Sequence, residues 1–325
     1  MINENLTKLR IACIVPTFNG RDDLERLLDS MQCQTTQFDL LIVDSSSSDG
    51  TGELAQRRQL CGQVTQLVVI PGAEFNHGGT RQKMVNDFPD YDVYVFLTQD
   101  AYLEDKDAIR NILTPLADSS VGAVCGRQLP HYEANPLAQH ARFFNYPPVS
   151  RVKSKDDIPA LGIKAAFISN SFAAYRREAL QEVGGFPEHV IFAEDMYVAA
   201  KMLLADFKVA YAGDACCRHS HNYTVSEEFR RYFDMGVFHS REPWIRQEFG
   251  GAGGEGLKYV KSEIEFLGIR RSYLWPGALL RNAVKLIAYK LGQRERKLSV
   301  RLKRKIGMYR GYWLGPFAGT NPDFS

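Results

Sequence analysis

Two segments of the chain carry carboxylates in positions where they could do chemistry. LTQDAY (residues 97–102) places Asp100 directly after a short apolar run that is typical of a buried strand. FAEDMYVAAKML (192–203) places Glu194 and Asp195 side by side at the start of a helical pattern. A carboxylate at a strand end can bind a divalent cation, and a second carboxylate can accept a proton. The two segments therefore predict a metal-binding acid and a proton-accepting acid.

A pair of histidines is a further candidate for metal binding. His219 and His221 lie in CCRHSH (216–221), after a short strand pattern. A single histidine is more often structural, and an acid pair at a helix start is explained by the helix dipole alone. The occurrence of two histidines favours a metal site, in which either of them could join Asp100.

Five apolar runs alternate with helical patterns along the first part of the chain. This alternation predicts an α/β fold, with a Rossmann-like, mostly parallel sheet and helices on both faces. Ligands of such sheets bind beyond the carboxyl ends of the strands. Polar side chains stand at these ends, and they include Thr17, Asn19, Asp44, Ser46, Asn76, Gln99 and Asp100. The predicted strands cover residues 9–16, 39–44, 64–70, 92–98 and 121–126.

Two of these polar clusters suggest contacts with a nucleotide. The carboxylate of Asp44 could accept the imide N–H of uracil or thymine. The alternative interpretation is that Asp44 caps a turn. EFNHGGTRQ (74–82) offers glycines for close backbone approach, a helix N-terminus for an anion, and Arg81 for a diphosphate. A tight loop with a surface arginine is the alternative interpretation of that segment.

Several functional classes are disfavoured by what the sequence lacks. It has no P-loop pattern for ATP or GTP, and VPTFNG lacks the GxGxxG that a nicotinamide-dependent oxidoreductase needs after its first strand. The six cysteines form no CxxC pair, and we find neither a bilayer-spanning apolar run nor the apolar segment of a secretory signal. We therefore expect a soluble protein of the reducing cytoplasm with no nucleic-acid partner.

The charge is distributed unevenly along the chain. The formal net charge is +2, yet residues 270–310 contain 13 lysines and arginines and a single acid, Glu295. Such a segment favours an anionic surface. It could lie on an anionic membrane, with Trp275 and neighbouring leucines in the interface. A solvated helical face, or a contact between copies in a homo-oligomer, is the alternative.

The composition of the chain changes near residue 245. Residues 1–245 hold the predicted α/β domain, with a long loop over 127–160. Residues 246–325 contain a glycine-rich hinge, GGAGGEG (250–256), and continue as two or three basic amphipathic helices over 257–310. We predict a C-terminal helical extension that contacts a membrane or another copy of the chain.

Four motifs together resemble family-2 glycosyltransferases of the GT-A fold. They are IVPTFNG, LLIVDSSSSDGT, FLTQDA and FAEDMYVAAKML. EFNHGGTRQ and RHSHNYT…FRRYFDMG narrow the resemblance toward bacterial rhamnosyltransferases of O-antigen and related polysaccharide assembly. The resemblance covers about residues 9–245 and depends on the order and spacing of the motifs.

The resemblance implies a role for each candidate residue. Asp195, next to Glu194, would be the general base, and Asp100 would be the acid of the family's DxD element, with Thr98 in place of the first aspartate. The implied ligands of a Mg²⁺ or Mn²⁺ ion are Asp100, His219 and His221. The residues implied in nucleotide-sugar binding are Pro16, Thr17, Asn19, Asp44, Ser46, Asn76, Arg81, Gln99 and Asp100, and those implied in binding the acceptor or the diphosphate are Arg230 and Arg231.

The resemblance also implies a reaction. It is the inverting transfer of L-rhamnose from dTDP-rhamnose to a polyprenyl-diphosphate-linked oligosaccharide at the inner face of the cell membrane. Glu228 and Tyr232 replace the Gln and Trp of the QxxRW element of processive relatives, which argues against a processive synthase. Another UDP- or dTDP-sugar donor, or a non-catalytic scaffold that binds sugar nucleotides, is the alternative.

Overall fold

The strands of the computed structural model form one nine-stranded sheet within the described residues, 9–251 and 254–319. The strands are β1 (Ile11–Thr17), β2 (Asp39–Asp44), β3 (Gln66–Val69), β4 (Val93–Leu97), β5 (Tyr102–Leu103), β6 (Val121–Leu129), β7 (Arg151–Lys153), β8 (Phe172–Arg176) and β9 (Lys208–Arg218). The helices are α1 (Arg21–Gln32), α2 (Thr51–Leu60), α3 (His77–Asp87), α4 (Ala108–Leu113), α5 (Pro136–Asn145), α6 (Ile158–Leu161), α7 (Arg177–Glu182), α8 (Glu194–Leu204), α9 (Val225–Arg241), α10 (Pro243–Phe249), α11 (Glu255–Leu267), α12 (Trp275–Gly292) and α13 (Val300–Ile306).

The sheet has the strand order β3-β2-β1-β4-β8-β6-β9-β5, and β7 pairs with β9. Strand β1 runs parallel to β2 and β4, β2 runs parallel to β3, and β6 runs parallel to β9. Strand β8 runs antiparallel between β4 and β6, and β5 and β7 are antiparallel to β9. The α/β class is confirmed, and the sheet is mixed. We did not predict β8, because its sequence, FAAYR, is short and contains two alanines, which have low strand propensity.

Helices cover both faces of the sheet because successive side chains of a buried strand point to opposite faces. In β4, Tyr94 and Phe96 belong to one apolar core, and Val93 and Val95 belong to the other. Helix α8 packs on the first face, and α1 packs on the second. The ends of the strands are therefore held at a fixed edge between two layers of helices.

The segment that we predicted as a long loop, 127–160, contains regular structure. Strand β6 continues to Leu129, and α5 and β7 follow within the segment. The helix begins where Oδ1 of Asn135 accepts a hydrogen bond from the N–H of Ala138, with Pro136 in the first turn. Asparagine followed by proline is a helix-start signal, and the loop prediction was wrong here because it gave that signal too little weight.

The basic C-terminal region packs against α9. Buried Glu295 pairs with Arg241 (3.0 Å) and also with Lys303. Buried Asp234 accepts the backbone N–H groups of Met308 (2.8 Å) and Tyr309 (2.9 Å). The ring of Tyr309 reaches back to the edge of His77, at a centroid distance of 4.3 Å.

The predicted helices of residues 257–310 are α11, α12 and α13. The domain boundary that we placed at residue 245 lies inside α10. The division into two domains stays a prediction. Within residues 9–251 and 254–319, none of the helices is both long enough and apolar enough to cross a bilayer.

The contact between α9 and α12 depends on glycine. A Cβ atom on Gly292 would lie 2.0 Å from the carbonyl oxygen of Phe233. We expect Gly292→Ala to lower the free energy of unfolding by about 1–3 kcal/mol, because the two helices must move apart. Gly277→Ala, in the same helix but with no atom within 4 Å of the new methyl group, is the control. Urea denaturation measures both, and equal effects of the two substitutions would contradict the expectation.

Candidate active site

Asp100, His219 and His221 form a cluster at one edge of the sheet. Asp100 lies between β4 and β5, and β9 ends directly before His219. Tyr102 pairs with Arg218 in the β5–β9 ladder, and this pairing brings the two segments together. Oδ2 of Asp100 lies 3.4 Å from Nε2 of His219 and 3.6 Å from Nε2 of His221. One ligand atom of each residue lies within 4.8 Å of the others, which is close enough for a single cation to contact all three.

The orientation of His219 is set by Gln128 of β6. The side-chain oxygen of Gln128 accepts a hydrogen bond from Arg142 (2.6 Å), and its Nε2 donates to Ser169 (2.9 Å). Nδ1 of His219 lies 2.9 Å from the same oxygen and must donate to it, because that oxygen can only accept. In the neutral form of the ring, the lone pair of Nε2 then faces Asp100, as a metal ligand requires.

The electrostatics of the cluster suit a divalent cation. Burial raises the pKa of Asp100, but the charges of His219 and His221 in their protonated forms, with a hydrogen bond from His219, outweigh it and hold that pKa well below its usual range, so Asp100 is ionised at neutral pH. Burial lowers the pKa of His221 to about 3, so this ring is neutral at pH 7 and keeps a free lone pair. One carboxylate and two imidazoles leave positions that the oxygens of a nucleotide diphosphate can fill.

Glu194 and Asp195 begin α8 and have different surroundings. Glu194 is buried, accepts a hydrogen bond from Nδ2 of Asn170 (2.9 Å), and pairs with Nη1 of Arg81 (3.0 Å). Asp195 is half-buried, and its two oxygens accept the backbone N–H groups of Asn170 (3.0 Å) and Met196 (2.8 Å). The carboxylate of Asp195 is therefore held in place by the backbone, and that of Glu194 by side chains.

These surroundings separate the pKa values of the two acids. Burial, followed by the charge of Glu194, raises the pKa of Asp195 to about 7. Burial also raises the pKa of Glu194, but Arg81 and His77 outweigh it and keep that pKa low. Asp195 is thus the member of the pair that can exchange a proton near neutral pH, and Glu194 remains ionised beside it.

A path of three hydrogen bonds and one peptide bond joins His219 to Asp195. It connects the Asp–His cluster (Asp100, His219 and His221) with the start of α8. Gln128 contacts His219 on one side and Ser169 on the other. The next residue along the chain is Asn170, whose N–H donates to Asp195. The path runs along the edge where β6 ends and the antiparallel β8 begins. Both sites therefore lie at the same end of the sheet.

Arg81 has its partners inside the protein. We expected it to hold a diphosphate or the base, but its side chain is almost completely buried in the interior. The guanidinium pairs with Glu194 and donates to the carbonyl of His77 (2.7 Å). Both contacts use Nη1 of the buried guanidinium, and a contact of Arg81 with a diphosphate stays a prediction.

Arg231 of α9 is a further candidate for a contact with a diphosphate. It is half-buried, and its guanidinium lies over the rings of Phe192 (5.8 Å) and Tyr223 (6.0 Å). In the described part of the chain no carboxylate lies within ion-pair distance of it. Arg231 lines a cavity together with His221, whereas the neighbouring Arg230 does not line it.

The residues predicted to line a nucleotide pocket mainly connect the loops at the strand ends. Asp44 is buried and accepts hydrogen bonds from Oγ1 of Thr17 (2.9 Å) and Oγ of Ser47 (2.6 Å). Oδ1 of Asn19 accepts the N–H of Ser48 (2.9 Å). These contacts fix the loop after β1 against the loop after β2. The role of Asp44 in contacting a base edge stays a prediction.

The remaining candidates also act within the protein. Gln99 accepts the N–H of Phe18 (2.9 Å) and donates to its carbonyl oxygen, and Ser46 donates to the carbonyl oxygen of Ile70. Asn76 caps α3 through Gly79 (2.7 Å). Pro16 sits within β1, opposite Val43 of β2. These residues shape the loops, and a direct contact with a nucleotide stays a prediction for each of them.

Strained backbone is concentrated at this edge of the sheet. Among the described residues, four that are not glycine have positive φ, and three of them belong to the segments above: Asn19 (44°), Ser46 (57°) and Ala193 (61°). Ala193 directly precedes the two acids of α8. Such conformations cost free energy and persist where the surrounding structure enforces them, which is common at functional sites.

A cavity of about 250 Å³ lies between α5, α9, α11 and α12 and includes His221 in its wall. Aromatic rings and charged groups of both signs line it, and they include Tyr146, Tyr223, Tyr232, Tyr259, Arg142, Arg231, Glu228, Arg281 and Lys285. We did not single out most of this wall in the sequence, because part of it belongs to α5, in the segment interpreted as a loop. The contact of Gln128 could not be recognised from neighbouring residues, since its partner His219 is 91 residues away in the sequence.

The fold and the site together define a class of sugar-transferring enzyme. The family model of glycosyl transferase family 2 matches residues 12–184, and the chain belongs to this family of glycosyltransferases. It is 51% identical to the O-antigen chain rhamnosyltransferase RfbN of Salmonella typhimurium over 94% of this chain and 96% of that protein. It is also 51% identical to the O-antigen chain rhamnosyltransferase WbaN of Salmonella anatum, with 92% and 94% covered.

A solved structure shares the fold. The mannosyltransferase PcManGT from Pyrobaculum calidifontis, in complex with GDP-Man and Mn²⁺, matches with a TM-score of 0.62 and 20% identity. The match covers 89% of this chain and 88% of that one. The GT-A fold expected from the sequence is confirmed.

The geometry at His219 predicts that Gln128 controls metal affinity. We expect Gln128→Leu to weaken Mn²⁺ binding by about 10–100-fold, because the ring loses the acceptor that fixes its tautomer. Isothermal titration of the nucleotide-free protein measures this effect. His189→Gln, which alters another histidine–carboxylate pair (His189 and Glu242, 3.2 Å), is the control. Wild-type affinity in Gln128→Leu would remove the positioning role.

Proposed function

We propose that the protein transfers L-rhamnose from dTDP-L-rhamnose to a sugar hydroxyl of a polyprenyl-diphosphate-linked oligosaccharide, with inversion at the anomeric carbon. The observation that supports the catalytic part is the path from His219 through Gln128 to Asp195. It joins a cluster that could bind a metal to a carboxylate whose pKa is raised to about 7, at one edge of the sheet. The names of two relatives, each 51% identical over most of the chain, support rhamnose and assembly of a cell-surface polysaccharide such as O-antigen.

Asp195 acts as the general base in this proposal. Its carboxylate accepts the proton of the acceptor hydroxyl while the hydroxyl oxygen attacks the anomeric carbon. The bond to the diphosphate breaks on the opposite side of that carbon. Ionised dTDP is a good leaving group, so one basic carboxylate suffices and no general acid is needed. The backbone N–H groups of Asn170 and Met196 hold the base in position.

Asp100, His219 and His221 would hold a divalent cation, and the cation would neutralise negative charge on the departing diphosphate. Two of the three donors are imidazole nitrogens, so the set is a poorer match for Mg²⁺, which prefers oxygen ligands, than for Mn²⁺. Arg231 supplies a second positive charge from α9. Because the leaving group gains charge in the transition state, the guanidinium of Arg231 would stabilise the transition state more than the bound donor.

An acceptor carried by a polyprenyl diphosphate places the enzyme at the membrane. The enzyme works at the inner face of the cell membrane, where the nucleotide sugar is available, and it associates with that membrane peripherally. A comparison of turnover with different donors distinguishes transfer of L-rhamnose from transfer of another sugar from UDP or dTDP. A non-catalytic scaffold is disfavoured by the raised pKa of Asp195.

We expect Asp195→Asn to lower the turnover of dTDP-rhamnose by about 10²–10⁴-fold, because the amide cannot accept the proton. In the wild type, turnover rises with pH as Asp195 ionises near pH 7 and is constant above that value. Release of dTDP in a coupled assay measures both. Calorimetry should show unchanged dTDP binding by Asp195→Asn, which controls for misfolding. Near-normal turnover of this variant would end the assignment of the base.

Arg231 should contribute to nucleotide binding. We expect Arg231→Gln to weaken the binding of dTDP by about 10–100-fold, because a charge-assisted hydrogen bond to phosphate is lost. Arg230→Gln, its neighbour on α9, should bind dTDP as the wild type does, because Arg230 lies outside the cavity wall. Titration calorimetry in the presence of Mn²⁺ compares the two variants. Equal losses would indicate a general charge effect instead of a specific contact.

A further inference from the structure

Helix α12 presents a row of apolar side chains to solvent. Leu279, Leu280, Leu286 and Ile287 are between 50% and 61% exposed, and the exposed Ala283 lies between them. Their spacing places all five on one side of the helix. We call this row the α12 face. Exposed apolar surface of this extent, on an otherwise polar region, marks a contact with a partner or a membrane.

The apolar surface continues beyond the N-terminal end of α12. Ile269 and Tyr273 are 77% and 76% exposed in the short 3-10 segment that precedes the helix. Arg270 and Arg271 lie between them and are also exposed. No ion pair of either arginine occurs in the part of the chain that the structure describes. Apolar side chains next to unpaired arginines are the composition of a helix that lies in the headgroup region of a bilayer.

We infer that the α12 face, with Ile269 to Tyr273, docks on an anionic lipid bilayer. The charge of the region decides between a membrane and a second copy of the chain. Arg270, Arg271 and Lys290 are exposed on or beside this face, and the single acid of residues 270–310, Glu295, is buried, so two copies facing each other through this face would repel. An anionic bilayer attracts the same charges, and it covers the apolar row without requiring a helix that spans the membrane.

The opposite side of α12 lines the cavity next to the Asp–His cluster. Arg281 and Lys285 project into the cavity wall, where both pair with Glu228 (3.1 and 3.5 Å). One helix therefore separates the proposed membrane surface from a cavity that includes His221. If the proposed function holds, an acceptor anchored in the bilayer has its sugar end beside the reacting groups.

Sedimentation of the full-length protein with vesicles tests the docking surface. The vesicles contain either phosphatidylglycerol with phosphatidylethanolamine or phosphatidylcholine alone. Leu280→Gln with Ile287→Gln should lower the partition coefficient on anionic vesicles by about tenfold or more for each side chain. Arg270→Gln with Arg271→Gln should lower it by about fivefold for each charge. Leu60→Gln, which alters an exposed leucine at the end of α2, should not change it.

Three outcomes would overturn the inference. They are wild-type partitioning of Leu280→Gln/Ile287→Gln, equal binding to neutral and anionic vesicles, and a dimer in sedimentation velocity that this variant dissociates. Thermal melting confirms that the variants are folded. Transfer assays with a water-soluble acceptor separate this inference from the proposed function. The α12 variant should keep that activity, whereas an absence of transfer by the wild type would end the proposed function and leave the vesicle result standing.

Discussion

One hydrogen bond organises the candidate active site. The side-chain oxygen of Gln128 accepts from both Arg142 and His219, and this contact forces the proton of His219 onto Nδ1. The remaining ring nitrogen then faces Asp100. A glutamine can do this only because the neighbouring arginine fixes which end of its amide is the oxygen. The orientation of a candidate metal ligand therefore depends on a residue outside the Asp–His cluster.

A second constraint gives the adjacent acids Glu194 and Asp195 different pKa values. Glu194 is buried and pairs with Arg81, whereas Asp195 is half-buried and accepts backbone N–H groups. Burial, and after it the charge of Glu194, disfavours a charge on Asp195 and raises its pKa. Ala193, which directly precedes the two acids, has a left-handed conformation where α8 begins. Arg81, which we had assigned to the substrate, contributes by keeping Glu194 ionised.

The sequence predicted the elements that depend on local patterns. Apolar runs placed β1, β2, β4 and β6, and polar residues at strand ends placed the Asp–His cluster at the correct edge. It did not predict β8, whose short FAAYR is stabilised by burial between two neighbours, or α5, whose start signal is only two residues long. The partners of Gln128, Arg81 and Arg231 could not be predicted, because each contact joins segments that only the folded chain brings together.

The carboxylate of Asp234 ties the C-terminal segment to the centre of the enzyme. It accepts the N–H groups of Met308 and Tyr309, and the Tyr309 ring then rests on His77, at the start of the helix that carries Arg81. A substitution of Tyr309 would therefore change the surroundings of His77, which helps to lower the pKa of Glu194. For chimaeras between relatives, the last part of the chain is not an exchangeable module. A graft of this part would also change the surroundings of His77, unless Asp234 and Tyr309 are transferred together with their partners.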